Sequence, residues 1–192
     1  MFRFAEELVR GGATLIQYRD KFQNASQMLS CARELRRITH QRAEFIMNDR
    51  TDLCIAADAD GVHLGQDDLS PVAARRIFHA VEQASGPRKC LWIGLSTHNP
   101  DQALEASRMP VDYIAAGPVF TTATKAKADP VIGLDGVRTA RAATTKPLVA
   151  IGGITRENCR KVMEAGADAV AVISDLLGSP AKALEDFLRI LG

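Results

Sequence analysis

The sequence predicts an α/β protein built on a (β/α)8 TIM barrel, and three observations carry that expectation. Short apolar runs alternate strictly with helical segments along the chain, the pattern of a parallel sheet with crossover helices. Polar or charged residues close nearly every run, which spreads candidate site groups over many strand ends rather than one crevice. The chain has 192 residues, 46% of them hydrophobic, enough for one well-buried core, so a single domain over 1–192 is expected. The reading yields seven strands and eight helices and opens on a helix. A barrel of this kind opens on a strand, so the first β-strand is expected to be missing from this chain.

In order, 2–10 has helical spacing and Gly11-Gly12 closes it. A strand follows at 14–19. Residues 24–40 place Met28, Cys31, Ala32, Leu35 and Ile38 on one stripe of an amphipathic helix. The next elements are a strand at 45–47, a short helix at 52–57 and a strand at 61–64. Ser70-Pro71 opens a helix with a capping hydroxyl and a proline at its first position. Residues 83–89 read as a loop, 92–96 as a strand, 99–108 as a helix and 113–117 as a strand. The polar loop 121–130 comes next. The remainder alternates helix 134–143, strand 148–151, helix 155–165, strand 169–173 and helix 180–188.

Lys and Arg number 24 against 23 Asp and Glu, a formal net charge of +1 that argues against a nucleic-acid binder. No apolar run approaches the length of a membrane span, and no signal peptide is read ahead of Met1. Cys31, Cys54, Cys90 and Cys159 lack metal-type spacing and read as reduced thiols of a cytoplasmic protein.

The chemistry is expected first at Ile46–Arg50 and Asp60–Asp68. Both start as apolar runs and end in carboxylates, so neighbouring strands would bring Asp49 within reach of Asp67 or Asp68. Two carboxylates at an open cleft suit Mg²⁺ on a polyphosphate, although Asp49 could equally favour a helix N-terminus and Asp67 or Asp68 could cap the helix at Ser70. Asn48 could meet an organic ring or satisfy a turn. Gln17, Arg19 and Lys21 alternate at a strand end and can grip an anion such as a diphosphate, or simply face solvent. His63 reads as an interior residue and His98 as the lead into the cap at Asn99, with Ser96 the best-placed hydroxyl near them. The stretch Gly117–Lys125 gathers three hydroxyls and an ammonium, with Lys127 a second, and can wrap a phosphate. Gly152-Gly153 with Thr155 as a cap, and Ile173-Ser174, lie at the last two strand ends, where barrels frequently hold phosphate.

Five stretches in order, 12–21, 46–50, 60–68, 117–125 and 150–154, resemble the thiamine-phosphate synthase and thiazole tautomerase superfamily, and thiamine-phosphate synthase in particular. The resemblance implies a transferase that joins hydroxymethylpyrimidine diphosphate to thiazole phosphate, giving thiamine phosphate and diphosphate. By position, Gln17, Arg19, Lys21, Asn48, Ser96 and Lys125 match the family's pyrimidine-diphosphate site, with Arg19, Lys21, Lys125 and Ser96 in catalytic roles. Asp49 and Asp68 match its Mg²⁺ ligands. Thr122, Thr124, Gly153, Ile173 and Ser174 match its thiazole-phosphate site. Charge developing on the departing diphosphate would be met by Mg²⁺ and by Arg19, Lys21 and Lys125. In the family the aminopyrimidine ring supports the resulting cation and the thiazole nitrogen attacks it. The partners implied are small molecules, with no nucleic acid and no membrane; family members are often homodimers. Two rivals stand beside this: a thiazole tautomerase, and a barrel that binds thiazole phosphate or thiamine phosphate without turnover.

Overall fold

The structure, a computed structural model, describes residues 1–86, 91–122 and 129–192. These form two compact units, Met1–Gly94 and Leu95–Gly192. Among the described residues there are seven strands and eight α-helices, in the alternation expected.

The first unit runs α1 (Phe2–Arg10), β1 (Leu15–Tyr18), α2 (Ala25–Thr39), β2 (Glu44–Asn48), α3 (Thr51–Ala56), β3 (Gly61–Leu64), α4 (Pro71–Ser85) and the start of β4 (Trp92–Thr97). Strands β1, β2 and β3 pair in chain order and in parallel, with Ile16 opposite Phe45 and Met47 opposite Val62. Phe45, Ile46, Met47, Val62 and Leu64 are fully buried, because helices cover one face of these strands and neighbouring side chains the other. The Trp92 amide donates to the Asp60 carbonyl. A Cβ on Gly61 would stand 2.5 Å from the Trp92 carbonyl oxygen, so this approach requires glycine. Asn24 caps α2 through a reciprocal box with Gln27, and Ser70 caps α4 ahead of Pro71. The expected loop at 83–89 begins later than its polar composition suggested. No breaker precedes Gly86 (φ +82°), so α4 continues through Ser85. Positions 87–90, Cys90 among them, lie outside the described residues.

The second unit holds the end of β4, then α5 (Pro100–Arg108), β5 (Tyr113–Ala116), α6 (Gly133–Ala143), β6 (Leu148–Ile151), α7 (Cys159–Glu164), β7 (Ala169–Ala171) and α8 (Pro180–Leu191). Strands β5, β6 and β7 again pair in parallel and in chain order, Ile114 opposite Leu148 and Ala150 opposite Val170. Two boundaries beside the candidate site differ from expectation, and α8 runs on to Leu191 rather than ending at 188. Thr155 does not begin the helix: Thr155–Asn158 closes a turn first, and α7 starts at Cys159. The last strand stops at Ala171 because Ile173 leaves extended geometry (φ −128°, ψ −66°) to start a 3-10 turn, Ser174–Leu176.

One device fixes register in each unit. Asp60 accepts from the Phe45 amide at 2.8 Å and from the Arg36 guanidinium at 2.9 Å, while its own amide returns to the Phe45 carbonyl. Asp168 does the same with the Leu148 amide, the Arg141 guanidinium and the Leu148 carbonyl. A one-residue slip would break all three bonds at once, so the device holds each strand end in register. Among the described residues no helix is long and apolar enough to cross a membrane.

Candidate active site

In the first unit the site is assembled at the ends of β1, β2 and β3. Strand alternation puts Gln17 and Arg19 on one side of β1, both exposed. The Asp20 carboxylate then accepts from the amides of Phe22 and Gln23 at 2.8 and 3.0 Å, a side-chain turn that ends the strand direction and presents Lys21. The Lys21 ammonium is paired with the Asp49 carboxylate. Asp49 sits at φ +62°, where its neighbours close a three-residue turn, the Arg50 amide donating to the Asn48 carbonyl at 2.7 Å. Its own amide donates to the His63 carbonyl of β3 at 2.7 Å, so the sheet ladder and the turn share this residue. Asn48 and His63 are buried beside it.

Asp68, one of the two expected partners, is bonded to Asp49 through the carboxyl groups and accepts the Gly65 amide at 2.7 Å. Asp67 is exposed, and Ser70 caps α4, so neither aspartate is needed for that cap. Burial raises Asp68, and the Asp49 carboxylate raises it further. Burial pushes Asp49 the same way, but its contact with Asp68, the Lys21 ammonium and the nearby Arg19 guanidinium together hold it below the usual carboxylate range. The two carboxyl groups thus oppose each other's ionisation, and a cation between them would relieve that repulsion. Among the described residues no three His, Cys, Asp or Glu side chains gather as a metal cage. Two carboxylates with the remaining positions left to water and phosphate oxygens is the donor set that Mg²⁺ takes.

In the second unit Ser96 is half-buried on β4. The end of β5 continues as Gly117–Thr122, held against the end of β6: the Val119 amide donates to Ile151 and the Phe120 amide to Gly152. Gly152 and Gly153 take φ +90° and +67°, and a Cβ on Gly153 would come within 2.6 Å of the Thr121 carbonyl oxygen. These glycines let two backbone segments touch beside Thr122. Thr124 and Lys125, with Lys127, lie outside the described residues. Asn158 braces the glycine turn, accepting the Thr155 amide at 2.8 Å and donating to the Gly153 carbonyl at 3.1 Å. The helix N-terminus expected at Thr155 is therefore not what faces an anion here. Ile173 and Ser174 are exposed at the 3-10 turn. Arg156 forks onto Asp175 with its amide, Nε and Nη2 at 2.9–3.2 Å, and reaches Asp186 at 3.4 Å, tying the glycine turn to the Ser174 turn.

Asn158, Arg156 and Asp175 were not anticipated. Asn158 had a usable local signal, an Asn three residues after Thr155 and directly ahead of a helix. Arg156 and Asp175 had none, since their pairing spans 19 residues of chain.

The family model described as thiamine monophosphate synthase matches residues 1–176. The thiamine-phosphate synthase of Koribacter versatilis is 54% identical over 188 residues, 98% of this chain and 85% of that protein. That of Chloroflexus aurantiacus is 45% identical over 175 residues, covering 91% and 76%. Among solved structures, thiamine phosphate pyrophosphorylase from Pyrococcus furiosus superposes with a TM-score of 0.87 at 36% identity, covering 99% of this chain and 88% of that one. A 3-hexulose-6-phosphate synthase shares the (β/α) fold at 16% identity and a TM-score of 0.73. On the match to 1–176 and the 54% identity, the chain belongs to the thiamine monophosphate synthase family.

Proposed function

We propose that the chain is a Mg²⁺-dependent thiamine-phosphate synthase of the cytoplasm, joining hydroxymethylpyrimidine diphosphate to thiazole phosphate. The observation that carries the metal-dependent reading is the Asp49–Asp68 carboxyl pair with Lys21 bonded to it and Arg19 in its field. Mg²⁺ held by Asp49 and Asp68 would supply fixed positive charge to diphosphate oxygens. Arg19 and Lys21 bind the same diphosphate and stabilise the charge that grows on it as the carbon–oxygen bond breaks. Their contribution is larger in the transition state than in the ground state, which is what raises turnover. Gln17 and Asn48 orient the pyrimidine; Ser96 and Lys125 are matched to the same substrate by sequence position alone.

The second substrate is held by its phosphate. Thr122, Thr124, the amide of Gly153 and the Ile173-Ser174 turn take this role, and orientation of the thiazole nitrogen follows from it. No protein nucleophile is needed. The paired carboxylates favour this reading over a tautomerase, which moves a proton and has no diphosphate to release. Among the described residues Cys31, Cys54 and Cys159 carry free thiols. The test is chromatography of the product: purified chain with both substrates and Mg²⁺ yields thiamine phosphate, and omission of either substrate yields none. Conversion of a thiazole isomer without the pyrimidine would favour the tautomerase instead.

A further inference from the structure

His98 follows β4 and is fixed from both directions. Its amide donates to the Gln102 side chain at 2.7 Å, and the Gln102 amide returns to Asn99, the cap of α5. The ring is largely buried, 16% exposed, with Nδ1 2.6 Å from the Gly117 carbonyl oxygen and Nε2 3.5 Å from an Asp129 carboxylate oxygen. A carbonyl only accepts, so Nδ1 carries a proton and donates. The first contact is with the end of β5 and the second with the residues ahead of α6. Gly117 begins the stretch that leads to Thr121 and Thr122. The same two segments are tied a second time, by the Ile132 amide on the Pro118 carbonyl.

We infer that His98 is a positioning residue for the thiazole phosphate, acting through the Gly117 carbonyl rather than by touching the ligand. This rests on the proposed role of Thr122 in holding that phosphate. The stretch has little freedom to compensate if the tie is lost. A Cβ on Gly117 would lie 2.2 Å from the Ile151 carbonyl oxygen, and Val119 and Phe120 are bonded to Ile151 and Gly152. A shift of the Gly117 carbonyl is therefore passed through Thr121 to Thr122 and the glycine turn, the groups that would meet the phosphate. Buried, neighbour-fixed and bonded to the Gly117 carbonyl, the imidazole does what a distant support must do to hold binding groups within a fraction of an ångström.

The experiment is steady-state kinetics and calorimetric binding of thiazole phosphate to wild type, His98→Ala and His98→Asn. Asparagine can place its amide donor near the position of Nδ1, and alanine places none. His98→Ala should raise KM and Kd for thiazole phosphate about tenfold or more while kcat at saturation stays within about threefold. His98→Asn should recover most of that loss, which a nonspecific folding defect would not do. A long-range proton–nitrogen spectrum should show the proton on Nδ1. Unchanged binding in His98→Ala overturns the inference, as does a fall in kcat with KM untouched, or equal loss in both variants. Wild type that binds thiazole phosphate without turnover contradicts the synthase reading alone, and the His98 comparison is then read from binding. Wild type that neither binds nor turns over removes the phosphate site, and the role of His98 with it.

Discussion

The Asp49 amide donates to the His63 carbonyl at 2.7 Å while Asp49 itself stands at φ +62°. Asn and Asp tolerate this left-handed geometry better than other residues with a Cβ, and a β-branched residue tolerates it least. Asp49→Asn should keep the fold within a few tenths of a kcal/mol, whereas Asp49→Val should cost about 1–3 kcal/mol. Urea unfolding of the two variants checks the order, and equal loss in both would mean that the turn is not constrained.

His63 gives a pH dependence with a defined sign. Burial depresses its imidazole from 6.5 to about 4, although the Asp49 carboxylate pulls the other way. The unfolded chain therefore binds the proton more readily between those values. His63 contributes full stability above pH 6.5, and that contribution is lost as pH falls toward 4. The difference reaches about 3 kcal/mol at the acid end. Subtracting the unfolding free energy of His63→Gln from that of wild type across pH 4–7 isolates the slope. A flat difference contradicts the burial of a neutral ring.

Asp60 and Asp168 make the same bonds, but burial separates their worth. The Asp60 side chain is 3% exposed and that of Asp168 is 56% exposed. Removing Asp60 strands a buried amide and a guanidinium, so Asp60→Ala should destabilise by about 3–5 kcal/mol. Water can replace the partner of Arg141, and Asp168→Ala should cost about 1 kcal/mol. Thermal unfolding of the pair reads the asymmetry, and comparable losses would contradict it.

Arg156 sets the turn that carries Ser174. The Arg156 side chain, bonded to Asp175, holds the Asp175 carboxyl below the ordinary 3.8 against the opposing effect of burial. The sign follows: this contribution is present above about pH 4 and is lost as pH falls through the depressed value. Arg156→Ala should raise KM for thiazole phosphate more than it lowers kcat, and Asp175→Asn should reproduce the effect. A variant with unchanged KM would free the Ser174 turn from this ion pair.

Much of the fold was legible because its signals are local. Ser70-Pro71, Asn24 with Gln27 and the apolar runs at 46–47 and 61–64 each announce a cap or a buried strand within a few residues. The misses occurred where a tertiary bond overrode the local pattern. Thr155 looked like a cap, yet Asn158 takes its amide and delays α7 to Cys159. Ile173 looked like strand, yet the 3-10 turn claims it. Of the candidate site, the clustering of Lys21, Asp49 and Asp68 was legible, and the Asp49–Asp68 contact is where the register of β2 and β3 leads. The supports, His98 with Gly117 and Arg156 with Asp175, join residues 19 positions apart and leave no periodic trace.

The most direct test of the account is diphosphate release by the purified chain, with both substrates, across a Mg²⁺ titration in wild type, Asp49→Asn and Asp68→Asn. The carboxyl pair as a Mg²⁺ site predicts release that saturates with metal in wild type, falls about 100-fold or more in either variant, and is accompanied by thiamine phosphate. Release that is independent of added Mg²⁺ after chelation, or that survives loss of both carboxylates, would contradict it.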